Sequence, residues 1–414
     1  MPLRRLRGRF FGQGGAVLLL ALLTNPQAAS QEVDVLEQLE DPGRAGPAAA
    51  LGAVFQFRGI ASKPEGQERT AYASTSTLRL TYEATYGAIR WVAHLNMEDV
   101  RASQAAALQS LVDGQAHADR LRGLALRERG DRSQQTAGMD WMYAQGNFAS
   151  GRYTVGRQPI SPSLTRLWAP ADTYAPFLPG DVERLYKPGV DAARLDYYLS
   201  DRLNSVSIVS LDQDAKSGTQ AKWLQRLEFN GEATKSFAYV GQRRNCDLLA
   251  AGHLVTGLAG ADWYGEALVF RRNGDAARGC TNQDGDTTRN WGHRAVLGSS
   301  VKLAANTVGT VEYLHQTPIS RFADLPWMGT GRQYLGTSVS YQAHPLVHLD
   351  ALWFANLSDR GQQLTLAARY TPQRNVVLRA NLAAPLTGTG RRHGVASEYW
   401  RMGRVFQLGL DWYF

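Results

Sequence analysis

Apolar and polar residues alternate with a period of two along most of the chain beyond its first fifty residues. In the first such segment, Leu51, Ala53, Phe55 and Phe57 share one face. Strict alternation is typical of a β-strand with one apolar face, and a tilted strand of roughly ten residues is long enough to cross a bilayer. Because the alternating segments are of about this length, the pattern predicts membrane-spanning strands.

The connections between these segments are alternately short and long. The short ones carry Gly, Asn, Asp and Pro, which favour tight turns. Short turns are expected at 85–87, 149–151, 200–201, 230–232, 260–261, 305–306, 344–345 and 372–373, and longer connections at 61–70, 100–135, 159–187, 212–219, 244–248, 273–290, 317–332, 357–360 and 386–399. This arrangement predicts an all-β, antiparallel, up-and-down transmembrane barrel over residues 50–414, with long outer loops near 100–135, 159–187 and 273–290. The segments number about 18, or 16 if one weak hairpin merges, and an even number leaves both termini in the periplasm.

The N-terminus reads as an export signal. Residues 1–30 combine four arginines, an apolar core over 16–23 and a small-residue cleavage site at 28–30, and residues 31–49 read as a periplasmic tail. Without the signal, the formal net charge falls from +8 to +4, which argues against a nucleic-acid partner. No later stretch is long and apolar enough for a membrane-spanning helix.

The last strand favours a membrane barrel over a soluble sandwich. Phe414, Trp412, Leu410, Leu408 and Phe406 are apolar and alternate with mostly polar or small residues. Such a terminal strand, ending in Phe, resembles the signal by which bacterial outer-membrane barrels are recognised for assembly. The expected partners are therefore the barrel-assembly machinery, the lipid bilayer and lipopolysaccharide; the alternative is an ordinary edge strand of a β-sandwich.

Assigning the apolar positions to lipid places the intervening positions in the lumen. The chain has 39 Arg and six Lys, and a guanidinium group presents a flat fork to carboxylate or phosphate. The pattern therefore favours a weakly anion-selective wall, although arginines that only brace a wet lumen against carboxylates would look the same. The inward cations are Arg58, Arg79, Arg90, Arg152, Arg194, Arg226, Arg294, Lys302, Arg369 and Arg379, and the inward acids are Glu83, Asp196, Glu228, Glu312 and Asp350.

A lumen enclosed by about 18 strands is too wide for wall side chains alone to fill. Twenty residues before the first strand cannot form a globular plug, so constriction must come from loops. Loops 100–135 and 159–187 are long enough, and the first is expected to contain helix and carries Arg120. Each could instead be a surface lid.

The two cysteines fit the same topology. Cys246 and Cys280 fall in adjacent outer loops, on either side of the hairpin that turns at 260–261. A disulfide between them would join these loops on the oxidising side of the membrane. Two cysteines cannot form a four-cysteine zinc site.

Three stretches resemble one group of Gram-negative outer-membrane porins. They are Val155 to Ile160, Trp168 to Phe177 and Lys187 to Leu195. Their "GRQ" element, proline-containing loop and "GVDAAR" strand are similar to the porins related to alginate-export barrels, although residues 169–172 read Ala-Pro-Ala-Asp where those carry an Asn-Pro sequence. The resemblance covers about 40 residues and the terminal strand. It implies passage of an anionic polysaccharide or related solute, with Arg157, Arg194 and Asp191 as the matched motif positions.

The sequence leaves two other classes open. An outer-membrane lipase needs a Ser nucleophile with a His base, and His94 and His348 fall on inward faces, but the chain has no Gly-x-Ser-x-Gly element. An adhesin or structural barrel would use its loops and keep the lumen blocked. No phosphate loop, dinucleotide fingerprint or paired metal-ligand motif is present, so no enzyme activity, cofactor or metal is expected.

Overall fold

The structure of the chain is a computed structural model. It describes residues 49–63, 68–105, 107–108, 120–121, 125–175, 177, 185–214, 218–232, 234–243, 247–272, 291–317, 331–386, 397–399 and 403–414. The expected signal peptide at 1–30 and nearly all of the expected periplasmic tail at 31–49 lie outside these residues. So do Cys246, Cys280 and the loop 273–290.

The described chain forms one antiparallel β-sheet of 19 strands. The first ten are β1 (Ala49–Lys63), β2 (Ala71–Tyr86), β3 (Ile89–Ala102), β4 (Ala125–Arg129), β5 (Ser133–Phe148), β6 (Gly151–Gln158), β7 (Val190–Tyr198), β8 (Leu203–Asp214), β9 (Gly218–Asn230) and β10 (Thr234–Arg243). The others are β11 (Asp247–Leu258), β12 (Ala261–Arg272), β13 (Trp291–Ala304), β14 (Thr307–Gln316), β15 (Gln333–His344), β16 (Val347–Asn356), β17 (Gly361–Gln373), β18 (Val376–Pro385) and β19 (Arg404–Tyr413).

Eighteen of these strands close into a barrel, which confirms the predicted fold. Each pairs with its chain neighbours, β3 pairs directly with β5, and β19 closes the ring on β1 through the register from Val54 opposite Tyr413 to Lys63 opposite Arg404. The remaining strand, β4, pairs with the outer half of β5, beyond the stretch where β6 pairs with the inner half. The sequence pattern missed β4, which lies in the 100–135 connection. Helix was expected in that connection, and its residues 105 and 107–108 are helical.

The turns follow the expected alternation with two local differences. The hairpin between β17 and β18 turns at Arg374 and Asn375, two residues beyond the expected 372–373. The connection between β16 and β17 is a tight turn, in which the Arg360 N–H donates to the Asn356 carbonyl at 2.8 Å. Arg360 adopts a φ of 65°, a left-handed conformation that sequence patterning does not signal for arginine.

The outer surface of the barrel is apolar along the strands. Large side chains such as Leu51, Trp91, Val155 and Leu297 are exposed there, on the faces that alternate with inward polar residues. In water this surface would be unfavourable, whereas in hydrocarbon it is the surface that a closed sheet must present. Among the described residues, no helix is long and apolar enough to cross a membrane.

The lumen contains a segment of the chain itself. β6 and β7 are only 8 and 9 residues long, and the connection between them folds inward instead of extending the wall. Ile160, Trp168, Ala171 and Tyr174 in this connection are each at most 2% exposed. We call residues 159–175 the inward segment; its apolar side chains pack against the inner faces of β7 to β16 in two clusters.

Candidate functional site

The inward segment is attached to the wall by two buried carboxylates, and Glu266 on β12 is the first. Its Oε1 accepts hydrogen bonds from Ser163 Oγ and the Ala171 N–H, both at 2.7 Å, and its Oε2 accepts from the Leu164 N–H at 3.1 Å. His253 Nδ1 lies 3.2 Å from the same carboxylate. One acidic side chain therefore joins two separate parts of the segment.

Glu312 on β14 holds the middle of the segment. Its two oxygens accept the backbone N–H groups of three consecutive residues, Arg166, Leu167 and Trp168, at 2.7 to 3.1 Å. The Tyr264 hydroxyl also donates to Glu312, at 2.8 Å. A buried carboxylate is tolerated where several donors satisfy it, and here those donors come from a backbone that must therefore follow a fixed path.

Apolar contacts hold the same stretch from its other side. The Trp168 ring lies 5.6 Å from Phe354 in an edge-on arrangement and 6.3 Å from Tyr334. Leu167 belongs to the same cluster, whose wall residues come from β13 to β16. The inward segment is thus part of the core of the barrel. The sequence left open whether this loop constricts the lumen or covers it as a lid, and the structure places residues 159–175 inside.

A buried ion pair between Asp172 and Lys187 joins the inward segment to the end of the connection that leads into β7. Beside it, the Trp141 indole N–H donates to the Lys187 carbonyl at 2.9 Å. Tyr186 lies under the guanidinium group of Arg79, 4.1 Å from ring centroid to Cζ. Burial raises the pKa of Tyr186 above its ordinary value, so its phenol is neutral at physiological pH.

A basic row crosses the neighbouring wall. Arg58 on β1 and Arg379 on β18 both face Gly409 on the intervening β19, and Arg369 on β17 faces Arg379. A Cβ at position 409 would lie 2.9 Å from Arg58 Cδ, so glycine provides room for the side chain above it. Across the four adjacent strands β17, β18, β19 and β1, three arginines and Gly409 therefore lie at one level.

Asp411 neutralises part of this row. Its Oδ1 lies 2.6 Å from Arg58 Nη2, and its Oδ2 accepts from Arg379 Nε at 2.6 Å. All three side chains are less than a tenth exposed. Two guanidinium groups therefore share this one carboxylate.

Asp140 makes a second cluster of the same kind. It accepts from Arg79 at 2.6 Å and from Arg120 at 2.5 Å. Asp140 is the extra residue of a bulge in β5, opposite the step from His94 to Leu95 on β3, and the bulge breaks the alternation of the strand. Arg120 comes from the 100–135 connection, so that loop also contributes to the wall.

Arg157 and Asp191 form the most enclosed pair of the matched motif. Arg157 Nε and Nη2 donate to the two Asp191 oxygens at 2.8 and 2.6 Å, a two-pronged contact. Arg157 also donates to the carbonyls of Met139 and Leu121, while the Leu121 N–H donates to Asp191. The pair therefore fastens the 120–121 segment over the ends of β6 and β7, and it contributes no net charge to the lumen.

Three of the other expected wall cations form ion pairs with wall carboxylates. Arg90 pairs with Glu83 at 2.5 Å, Arg194 with Asp196 at 2.6 Å and Arg226 with Glu228 at 2.6 Å. Arg294 is buried, whereas Arg152 is half-buried near the inner end of β6 and Lys302 is exposed near the inner end of β13. Much of the expected positive wall is thus braced by carboxylates, and Asp411 and Asp140 are each shared by two arginines.

Sequence reasoning missed Asp411, Asp140 and Glu266 as lumen residues. Asp411 lies in the terminal strand on the face opposite Leu410 and Trp412, so its inward direction was available from alternation. Asp140 was not, because a bulge has no reliable sequence signature. Phe414, Trp412 and Leu410, the expected assembly signal, lie at the seam where β19 meets β1, and the Phe414 N–H donates to the Ala53 carbonyl at 2.8 Å.

A Ser-His-Asp cluster is present on the inner faces of β15 and β16. Ser340 Oγ lies 2.8 Å from His348 Nε2 and donates to Asp350 at 2.5 Å. In a nucleophile triad the serine and the acid contact opposite ring nitrogens, whereas here Asp350 and Ser340 both approach Nε2. This geometry differs from that of a nucleophile triad and links β15 to β16. The described residues contain no group of three or more potential metal ligands.

The barrel is similar to solved outer-membrane porin structures. OccAB1 of Acinetobacter baumannii matches with a TM-score of 0.56 at 10% identity, over 88% of this chain and 96% of that one. OpdK of Pseudomonas aeruginosa, solved with vanillate, matches with a TM-score of 0.54 at 11% identity, over 88% and 98%. No protein-family model and no curated protein sequence matches the chain.

At this level of identity the likeness shows the fold: a closed, antiparallel, 18-stranded barrel of the outer-membrane porin type. Together with the apolar outer surface, it locates the chain in the outer membrane of a Gram-negative bacterium.

Proposed function

We propose that this protein is a passive outer-membrane channel for small, hydrophilic, anionic solutes. The basic row of Arg58, Arg379 and Arg369 supports the proposal most directly. It lies on β1, β17 and β18, next to the wall to which the inward segment is attached. A solute that passes the inward segment would therefore pass through the positive field of this row, of which Arg369 is the more exposed member, and guanidinium groups recognise carboxylate and phosphate.

Small solutes fit this lumen better than a polysaccharide chain. The inward segment occupies part of the cross-section and donates six hydrogen bonds to the wall carboxylates Glu266 and Glu312. A polymer such as alginate would need a continuous path of many sugar units along this obstructed lumen. The resemblance to alginate-export barrels makes uronate oligomers the appropriate probe for that second possibility.

Reversal potentials across planar bilayers under a salt gradient test the proposal. The purified full chain should show a chloride-over-potassium preference, and Arg369→Gln should reduce it. Arg404→Gln is the matched control, because Arg404 is an exposed arginine on β19, at the outer end of its outward face. A clear cation preference, or equal effects of the two substitutions, would contradict an anion channel governed by the basic row.

Added uronate oligomers distinguish the solute classes in the same bilayers. Block by dimers and longer oligomers at far lower concentration than by single uronates would favour a polysaccharide. Equal block per carboxylate would favour small anions. A barrel without conductance would instead support a plugged adhesin or structural role.

A further inference from the structure

A second group of cationic and hydrogen-bonding side chains lies on the lipid-facing surface, away from the lumen. Arg271, His293, His315 and Arg332 are located at the outer ends of β12, β13 and β14 and just before β15. We call these four residues the outer basic patch. They belong to three adjacent strands and the residue that leads into a fourth, so they form one continuous surface.

The directions of Arg271, His293 and His315 follow from the strand alternation, whereas Arg332 precedes β15 and belongs to the patch through its electrostatic interaction with His293. On β13, Trp291, His293 and Leu297 share the outward face, and Trp291 and Leu297 are 61% and 64% exposed. Arg271 and Val269 share the outward face of β12, and His315 and Val311 that of β14. Arginine and histidine side chains thus replace apolar residues at the outer end of an otherwise apolar surface.

The height of the patch matches the edge of the hydrocarbon layer. His293 lies ten residues along β13 from Leu303, the exposed apolar residue near the inner turn. Ten residues of a strand tilted by about 40° rise about 25 Å, which is the height of the apolar band in outer-membrane barrels. His293 therefore lies where lipid headgroups begin.

The two histidines form a preorganised donor. His293 Nε2 is 2.8 Å from His315 Nδ1 and the rings stack at 4.9 Å, while Thr317 Oγ1 is 3.2 Å from His293 Nδ1. If Thr317 donates to His293 and His293 donates to His315 Nδ1, then Nε2, on the other side of the His315 ring, carries an N–H. That N–H is then directed away from the pair and available to an acceptor.

Two arginines and a tryptophan complete the surface. Arg271 lies with its guanidinium group 5.6 Å from the centroid of Trp291, a ring suited to the headgroup level. Arg332 is exposed and close enough to interact electrostatically with His293. The outward positions described on β12 to β15 carry no Asp or Glu, so no acidic side chain of these faces neutralises the patch.

We infer that the outer basic patch binds a phosphate group of a phosphorylated lipid of the outer leaflet, such as the lipid A part of lipopolysaccharide. The ligand is anionic because the patch is cationic, and it is a lipid headgroup because the patch faces hydrocarbon on its inner side. The phosphate group would accept hydrogen bonds from Arg271 and from the His315 Nε2–H. The acyl chains of the same lipid would lie over Val269 and Leu297.

Native mass spectrometry of the detergent-purified full chain tests this inference. Bisphosphorylated lipid A should remain bound to the wild-type barrel, and the double variant R271Q/H315Q should retain about tenfold less. R202Q is the matched control, since Arg202 is an exposed arginine at the inner end of the barrel. Heat-dependent gel mobility checks that each variant forms a closed barrel, and W291A provides a second variant that keeps the charges while removing the ring.

The outcomes separate the sources of the anion. The inference is supported if R271Q/H315Q loses lipid A while R202Q keeps it, and if the wild-type barrel does not retain dephosphorylated lipid A. Equal retention by both variants, or equal binding of the dephosphorylated lipid, overturns it. Displacement of lipid A by millimolar inorganic phosphate also overturns it, because the patch would then be a site for free anions.

Discussion

The backbone N–H of Trp168 donates to a Glu312 oxygen at 3.1 Å, across 144 residues of sequence. Because the same carboxylate also receives the N–H groups of Arg166 and Leu167, one side chain of the wall fixes the centre of the inward segment. The lumen of this barrel is therefore shaped by a loop whose position depends on a strand far along the chain.

Replacement of Glu312 with Ala should loosen the inward segment. Three backbone donors and the Tyr264 hydroxyl would lose their acceptor, at about 1–3 kcal/mol for each buried group left unsatisfied. We expect larger single-channel conductance with more open-channel noise, measured in planar bilayers. Glu232→Ala, which removes an exposed carboxylate at an inner turn, is the control and should leave the conductance unchanged. An unchanged conductance in Glu312→Ala would contradict the role of this anchor.

Truncation of Trp168 should destabilise the barrel as well as its constriction. The indole is 2% exposed and packs against Phe354 and Tyr334, so Trp168→Ala would leave a large cavity in the apolar cluster. Such truncations cost about 3–5 kcal/mol. Urea titration of the folded barrel in lipid vesicles should show this loss in the free energy of unfolding. Leu164→Ala, at an exposed position of the same segment, should cost far less.

Asp411→Asn should be strongly destabilising because Arg58 and Arg379 would face each other without their shared carboxylate. Removal of one partner from a buried ion pair costs about 3–5 kcal/mol. The gel transition from folded to heat-unfolded mobility should shift to lower temperature. Combining Asp411→Asn with Arg379→Gln should recover part of the loss, because one of the two like charges is then absent. If the double variant is less stable by the full sum of both single effects, the two residues are not coupled.

Gly156→Ala should interfere with the end of β6. Gly156 has a φ of 122°, and a Cβ there would lie 2.2 Å from the Met142 carbonyl oxygen. The strain would disturb the neighbouring Arg157 and its pair with Asp191, so we expect a lower unfolding free energy and slower folding into vesicles. Gly257→Ala is the matched control, since no atom lies within 4 Å of its Cβ position. Equal stability of the two variants would show that the backbone here adapts.

Alternation along single strands determined much of this protein from sequence. Each strand shows its inward and outward faces within its own ten or so residues, so the barrel, its 18 strands and the inward direction of Arg58 and Arg379 follow from local pattern. The turn residues add the alternation of short and long connections, which makes the number of barrel strands even.

Only the tertiary structure decided what occupies the lumen and how much of its charge is neutralised. Ser163 meets Glu266 across 103 residues, and Arg58 meets Asp411 on the strand that closes the ring. Neither contact has a local signature, because each depends on barrel closure and on a loop that turns inward. The sequence alone could place arginines on the inner face, but the carboxylates that two arginines share are set by the register between strands and by the bulge at Asp140.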